Sequence, residues 1–99
     1  MNKQKCYIAG KIGGLSENEY LNNFAIARVQ VTEMGYTPVC PTLLPHDHDK
    51  TWESYMKEDI KAMLDCELVY AQRNWRHSIG ATEEIRIATM LGINIIHQK

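Results

Sequence analysis

Cys6-Tyr7-Ile8-Ala9-Gly10-Lys11-Ile12-Gly13-Gly14 decides the fold. Cys6 to Ala9 form an unbroken apolar run that glycine closes, and such a run reads as a strand buried on both faces. The glycine turn hands the chain to a helix over residues 17–34. There Tyr20, Phe24, Ala27, Val31 and Met34 share one face, and Gly35 is a good C-terminal stop. The alternation continues outward. Tyr36-Thr37-Pro38-Val39-Cys40 is a second strand, and its proline assigns it to a sheet edge. Residues 41–50 form a loop, and Thr51 caps a second helix that runs to about Asp65. Glu67-Leu68-Val69-Tyr70-Ala71 is a third strand, and residues 72–79 are a polar loop. A third helix runs from about Gly80 to Leu91 and stops at Gly92, before the last strand, Ile93-Asn94-Ile95-Ile96-His97.

Strands alternating with helices imply parallel pairing with right-handed crossovers. The expected architecture is α/β with three layers, flavodoxin- or Rossmann-like: a parallel four-stranded sheet of order 2-1-3-4 with helices on both faces. Its switch point lies between strands 1 and 3, and ligands bind there beyond the carboxyl ends of the strands. The loops at residues 10–14 and 72–80 arrive at that point.

The chain has 99 residues and a net charge of -1, which fits one domain over 1–99 and gives no electrostatic footprint for a nucleic-acid polymer. No apolar run approaches a membrane span. The amino terminus passes straight into a strand, so no signal peptide is expected. Cys6, Cys40 and Cys66 are odd in number and lack metal-ligand spacing. They are expected to be reduced thiols in a cytoplasmic protein.

Two carboxylates fall where apolar side chains belong. At helical spacing Ala81, Ile85, Ile87, Ala88 and Leu91 form one arc, and Glu84 lies inside it, whereas Glu83 and Arg86 lie outside. Trp52, Tyr55, Met56, Ala62 and Met63 make the inner face of the second helix, with Asp59 near its middle. Burying a carboxylate without partners is costly, and such groups concentrate at functional sites. A carboxylate pair at a pocket is the apparatus for opening a glycosidic bond. The plain alternative is that each pairs with a basic or backbone donor for structural reasons. Tyr7, near the end of strand 1, is placed to hydrogen-bond one carboxylate, or else is a core aromatic.

The turns carry further candidates. Gly10, Gly13 and Gly14 let backbone N–H groups approach an anion, and Lys11 adds charge; the alternative is a turn that needs positive φ. In Asn74-Trp75-Arg76-His77-Ser78-Ile79-Gly80-Ala81, Ser78 is an N-cap or a phosphate ligand, since helix N-termini favour anions. His46-Asp47-His48-Asp49 has metal-binding residue types without further ligands at a recognisable spacing, and a solvated loop is favoured over a metal site.

Together these segments resemble the nucleoside 2-deoxyribosyltransferase superfamily. Tyr7-Ile8-Ala9-Gly10 resembles its Tyr-x-Ala-Gly strand end, and Glu58-Asp59-Ile60 its sugar-binding aspartate segment. Ser78-x-Gly80-x-x-x-Glu84 resembles the segment that carries its catalytic glutamate. The branch most resembled is a small bacterial and phage domain of unknown function, with Trp52-Glu53-Ser54-Tyr55-Met56 and residues 74–81 as the shared stretches. The resemblance implies that Glu84 attacks the anomeric carbon of a 2′-deoxynucleoside, Asp59 binds sugar and assists base departure, and Tyr7 orients Glu84. Gly10, Lys11, Gly13, Gly14, Trp75, Ser78 and Gly80 would contact substrate. Ser78 stands where the transferases carry aspartate, a change that resembles the 2′-deoxynucleoside 5′-monophosphate N-hydrolases, in which a serine there binds phosphate. The resemblance implies a homodimer or higher homo-oligomer, a small deoxynucleoside or deoxynucleotide as partner, and no metal or organic cofactor. The chain is shorter than those enzymes. A non-catalytic nucleotide-binding or sensing module, and an assembly protein with no ligand, are the rival readings.

Overall fold

In a β-α-β unit with a right-handed crossover, the direction in which the chain steps across the sheet decides which face its helix covers. That rule organises this molecule. The computed structural model describes residues 3–46 and 50–99. Four strands, β1 (Lys5–Ala9), β2 (Thr37–Val39), β3 (Leu68–Ala71) and β4 (Asn94–His97), form an all-parallel sheet of order 2-1-3-4. Helix α1 (Glu17–Glu33) steps from β1 outward to β2. Helices α2 (Trp52–Leu64) and α3 (Ile79–Met90) step the other way, to β3 and then β4. So α1 covers one face alone, and α2 and α3 share the other.

The strands supply both layers by simple alternation. Cys6, Ile8, Leu68 and Tyr70 pack with Phe24, Ala27 and Val31 of α1. Tyr7, Ala9, Val69 and Ala71 pack with Met63 of α2 and with Ala81, Ile85 and Ala88 of α3. The register sets Tyr7 opposite Val39 on one side and Val69 on the other. Pro38, which has no N–H for a second neighbour, lies on the edge strand β2 as its chemistry requires.

Each helix begins at a hydroxyl cap. Ser16 forms a reciprocal capping box with Glu19, Thr51 Oγ1 accepts from Ser54 N, and Ser78 Oγ accepts from Ala81 N. Element ends differ from the sequence reading by about a residue, and the two loops each contain a short 3-10 turn, Pro41–Leu43 and Trp75–His77. Three residues assigned to inner faces are exposed: Trp52, Met34 and Leu91. All three stand at helix ends, where the arc runs off the sheet. Asp47, His48 and Asp49 of the His-Asp-His-Asp stretch lie outside the described residues, as do Met1 and Asn2. Among the described residues no helix is long and apolar enough to cross a membrane.

Gly10 closes β1 against an obstacle. A Cβ there would lie 2.3 Å from Gln72 Nε2 and 2.6 Å from Gln72 Cδ. Gln72 is only 2% exposed, so it has no free path aside. Gly10→Ala is expected to destabilise the fold by about 1–3 kcal/mol through overpacking, read as an earlier urea midpoint. Replacing Gln72 by Ala in the same chain should recover part of the loss. A Gly10→Ala protein as stable as wild type would show that the turn yields freely.

Candidate active site

Topology brings the chemistry together. Because α2 and α3 share a face, Asp59 on one and Glu84 on the other come to the same side of the sheet, where Tyr7 also points. Asp59, Glu84, Met63, Ala81, Ile85 and Ala88 are the buried residues of these two helices. Glu83, outside the arc, instead pairs on the surface with Arg86.

The Tyr7 hydroxyl donates to Glu84 Oε2 at 2.5 Å. Tyr7 is fully buried and Glu84 is 4% exposed. Burial pushes the Glu84 carboxyl up to about 8; the Tyr7 hydrogen bond pulls it down and the Asp59 charge raises it further. Burial, together with the negative charge of Glu84, holds the Tyr7 phenol well above its ordinary range, so it stays a donor. Asp59 is raised to about 6, first by burial; His46 lowers it and Glu58 raises it. Among the described residues Asp59 Oδ1 has no hydrogen-bond partner. His46 Nε2 stands 3.7 Å from it.

These groups line a cleft of about 880 Å³ beyond the carboxyl end of β1. The turn after β1 contributes Gly10, Lys11, Ile12 and Gly13, and α1 contributes Glu17, Tyr20 and Leu21. Trp52, Tyr55 and Met56 of α2 form another wall, and His77, Ser78 and Gly80 lead into α3. A volume of this size suits a small-molecule ligand. Gly80 has a packing reason as well: a Cβ there would lie 3.0 Å from Met56 Sδ, where α2 and α3 meet.

Of the ten candidate residues from the sequence, Tyr7, Gly10, Lys11, Gly13, Asp59, Ser78, Gly80 and Glu84 line this one cleft. Gly14 and Trp75 do not. Gly14 has φ of +87° and serves the turn itself. Trp75 packs against the core on the α3 side and carries the Arg76 guanidinium 4.6 Å above its ring. Lys11 faces the cleft with its backbone N–H already given to Asn74 Oδ1.

His46 is the residue whose position was missed. It is not solvated: its ring meets Tyr55 edge-on at 4.8 Å, and Nε2 lies 2.9 Å from Pro41 O. The signal for it was positional. A loop that leaves the carboxyl end of strand 2 lands on the same side as the switch point. Among the described residues no three His, Cys, Asp or Glu side chains group as a metal site.

Residues 4–97 match the family model described as "Domain of unknown function (DUF4406)". The chain belongs to that family. No curated protein matches it in sequence. Solved structures share the fold of this DUF4406 member. A 2-deoxyribosyltransferase from Bacillus psychrosaccharolyticus aligns over 94% of this chain and 70% of its own, at 20% identity and a TM-score of 0.69. A 2-deoxyribosyltransferase from Leishmania mexicana aligns over 95% and 63%, at 20% identity and a TM-score of 0.64. A conserved protein from Enterococcus faecalis aligns over 96% and 62%, at 19% identity and a TM-score of 0.69. The DUF4406 chain therefore spans under two thirds of the length of two of these structures. At such identities the likeness is one of fold.

The raised carboxyls have a consequence for stability. A group that holds its proton more tightly when folded stabilises the fold fully below its unfolded pKa. That stabilisation is lost as pH rises through the folded value. For Glu84 the window runs from 4.5 to about 8, and for Asp59 from 3.8 to about 6. Urea midpoints should therefore fall between pH 5 and pH 8. Glu84→Gln keeps an acceptor for Tyr7, should flatten the slope above pH 6, and should exceed wild type at pH 8 by on the order of a few kcal/mol. A Gln variant less stable than wild type at pH 8 would contradict a Glu84 that resists ionisation.

Proposed function

We propose that this chain is an N-glycosidase or deoxyribosyltransferase that acts on a 2′-deoxynucleoside or its 5′-monophosphate, with Glu84 as the nucleophile. The observation that carries the reading is a buried carboxylate, aimed by a tyrosine hydroxyl, in a cleft that holds a second buried carboxylate with an unfilled oxygen. The fold shared with two 2-deoxyribosyltransferases supports it. On this reading Glu84 Oε1, the oxygen not engaged by Tyr7, attacks the anomeric carbon. The bond from that carbon to the base nitrogen breaks, and its electron pair leaves with the base. Asp59, beside His46, binds sugar and delivers the proton that the departing base takes up. Water, or a second base, then attacks the same carbon and releases Glu84. Two displacements give net retention.

Burial raises both carboxyls, Glu84 further than Asp59. With a pKa of about 8, only about a tenth of Glu84 is ionised at pH 7. The attacking form of Glu84 becomes more abundant as pH rises towards 8, while the proton-donating form of Asp59 declines above about 6, so kcat/KM should rise up to about pH 6, stay level to about pH 8 and fall beyond it. Ser78 at the α3 N-terminus and Lys11 suit a polar or anionic 5′ group. Gly10, Gly13 and Gly80 form the close walls around it. Residues 1–99 are then a single nucleoside 2-deoxyribosyltransferase-like domain working on a small cytoplasmic metabolite. Apolar Leu21, Trp52 and Ile79, exposed on the cleft rim, support a homodimer in which a second copy completes the pocket.

The neutral state of Glu84 at pH 7 favours one alternative, a nucleotide-binding or sensing module that performs no chemistry. Chromatography of deoxynucleosides and their 5′-monophosphates incubated with the protein separates the two. Free base should appear with wild type and fall by about a thousandfold or more with Glu84→Gln. Calorimetric binding without base release would favour the sensor, and equal release by wild type and variant would remove Glu84 from the reaction.

A further inference from the structure

The turns after β1 and β3 belong to different parts of the chain, yet they are fastened to each other. Lys11 N–H donates to Asn74 Oδ1 at 3.0 Å. Gln72 N–H donates to Ala9 O at 3.0 Å, which carries the β1–β3 ladder one step beyond the strands. The buried Gln72 side chain presses on Gly10 with no space for a Cβ between them. Gln72 Nε2 has no acceptor among the described residues, so the side chain acts here by its shape.

Asparagine in a turn ordinarily bonds its own backbone two residues on. Asn74 reaches a residue 63 positions earlier instead. From there the 3-10 turn winds through His77 N to Asn74 O and Ser78 N to Trp75 O, and it delivers Ser78 to its capping bond on Ala81 N. Neither Gln72 nor Asn74 lines the cleft, but Lys11, Gly13, His77 and Ser78 all do. The two fastening residues thus stand behind the four that face the ligand.

We infer that Gln72 and Asn74 are positioning residues that splice the two turns into one preformed wall, fixing Lys11 relative to Ser78 across the cleft. Two independent turns would lose backbone freedom on closing round a ligand, whereas a spliced wall has lost it already. The effect therefore falls on binding. Tyr7 and Glu84, seated on β1 and inside α3, keep their hydrogen bond. The inference rests on the proposed function only for the identity of the ligand.

The test uses the full chain as wild type, Asn74→Ala and Asn74→Asp; the last keeps an oxygen acceptor for Lys11 N–H. Base release is measured from the four common 2′-deoxynucleosides and their 5′-monophosphates. Asn74→Ala should raise KM about tenfold, the size of one lost hydrogen bond, with kcat within about twofold. Asn74→Asp should restore KM for the uncharged deoxynucleosides. Amide hydrogen exchange of the free proteins gives a readout that needs no activity. In Asn74→Ala the amides of Lys11, His77 and Ser78 should all exchange faster, while Tyr7 and Val69 stay protected. Loosening at Lys11 alone, or a fall in kcat with KM unchanged, would overturn the inference. If wild type releases no base from any compound, the functional reading fails, and the exchange pattern alone decides whether the two turns are coupled.

Discussion

A proton held between Tyr7 and Glu84 is the constraint on which the rest of the cleft depends. The hydroxyl of a fully buried tyrosine and the carboxyl of a nearly buried glutamate meet at 2.5 Å. In so dry a place each group needs the other, because an unmade hydrogen bond there would cost the full desolvation of a polar atom. The bond ties strand β1 to helix α3 across 77 positions of sequence. It also selects which carboxyl oxygen the phenol engages. Burial works against ionisation of Glu84 and the phenol works for it, and burial prevails, with the carboxyl at about 8.

Handedness explains why the second carboxylate is present at all. Had the strand order been sequential, all the crossovers would have stepped in one direction and the helices would have crowded one face. The order 2-1-3-4 sends α1 to one side and pairs α2 with α3 on the other. Asp59 and Glu84 therefore meet because the chain reverses its course between β1 and β3. The same reversal opens the crevice they line.

The walls of the cleft combine two kinds of support. Packing fixes Gly80 against Met56 and Gly10 against Gln72, where larger residues would collide. Polar contacts fix the turns, through Asn74 on Lys11 and Ser78 on the first turn of α3. Asp59, like Gln72, is left incompletely bonded, with one oxygen buried and no hydrogen bond to it among the described residues. Buried polar atoms are usually satisfied, which makes this oxygen unusual.

Much of this was legible in the sequence. The element order, the sheet order and the edge position of the proline strand follow from apolar runs, glycine stops and one chirality rule. Glu84 and Asp59 stood out because each interrupts an apolar arc of helical period. Helix termini were less legible, since the period that buries Ala88 also points at Leu91, which lies past the sheet. The packing of Trp75 against the core was beyond its reach. Whether a turn residue faces a cleft, a core or a neighbouring turn depends on contacts between segments far apart in the chain, and no local pattern encodes them. Residue periodicity determined which side chains are buried; only the tertiary structure decided which of the buried ones meet, because meeting requires the path of the whole chain.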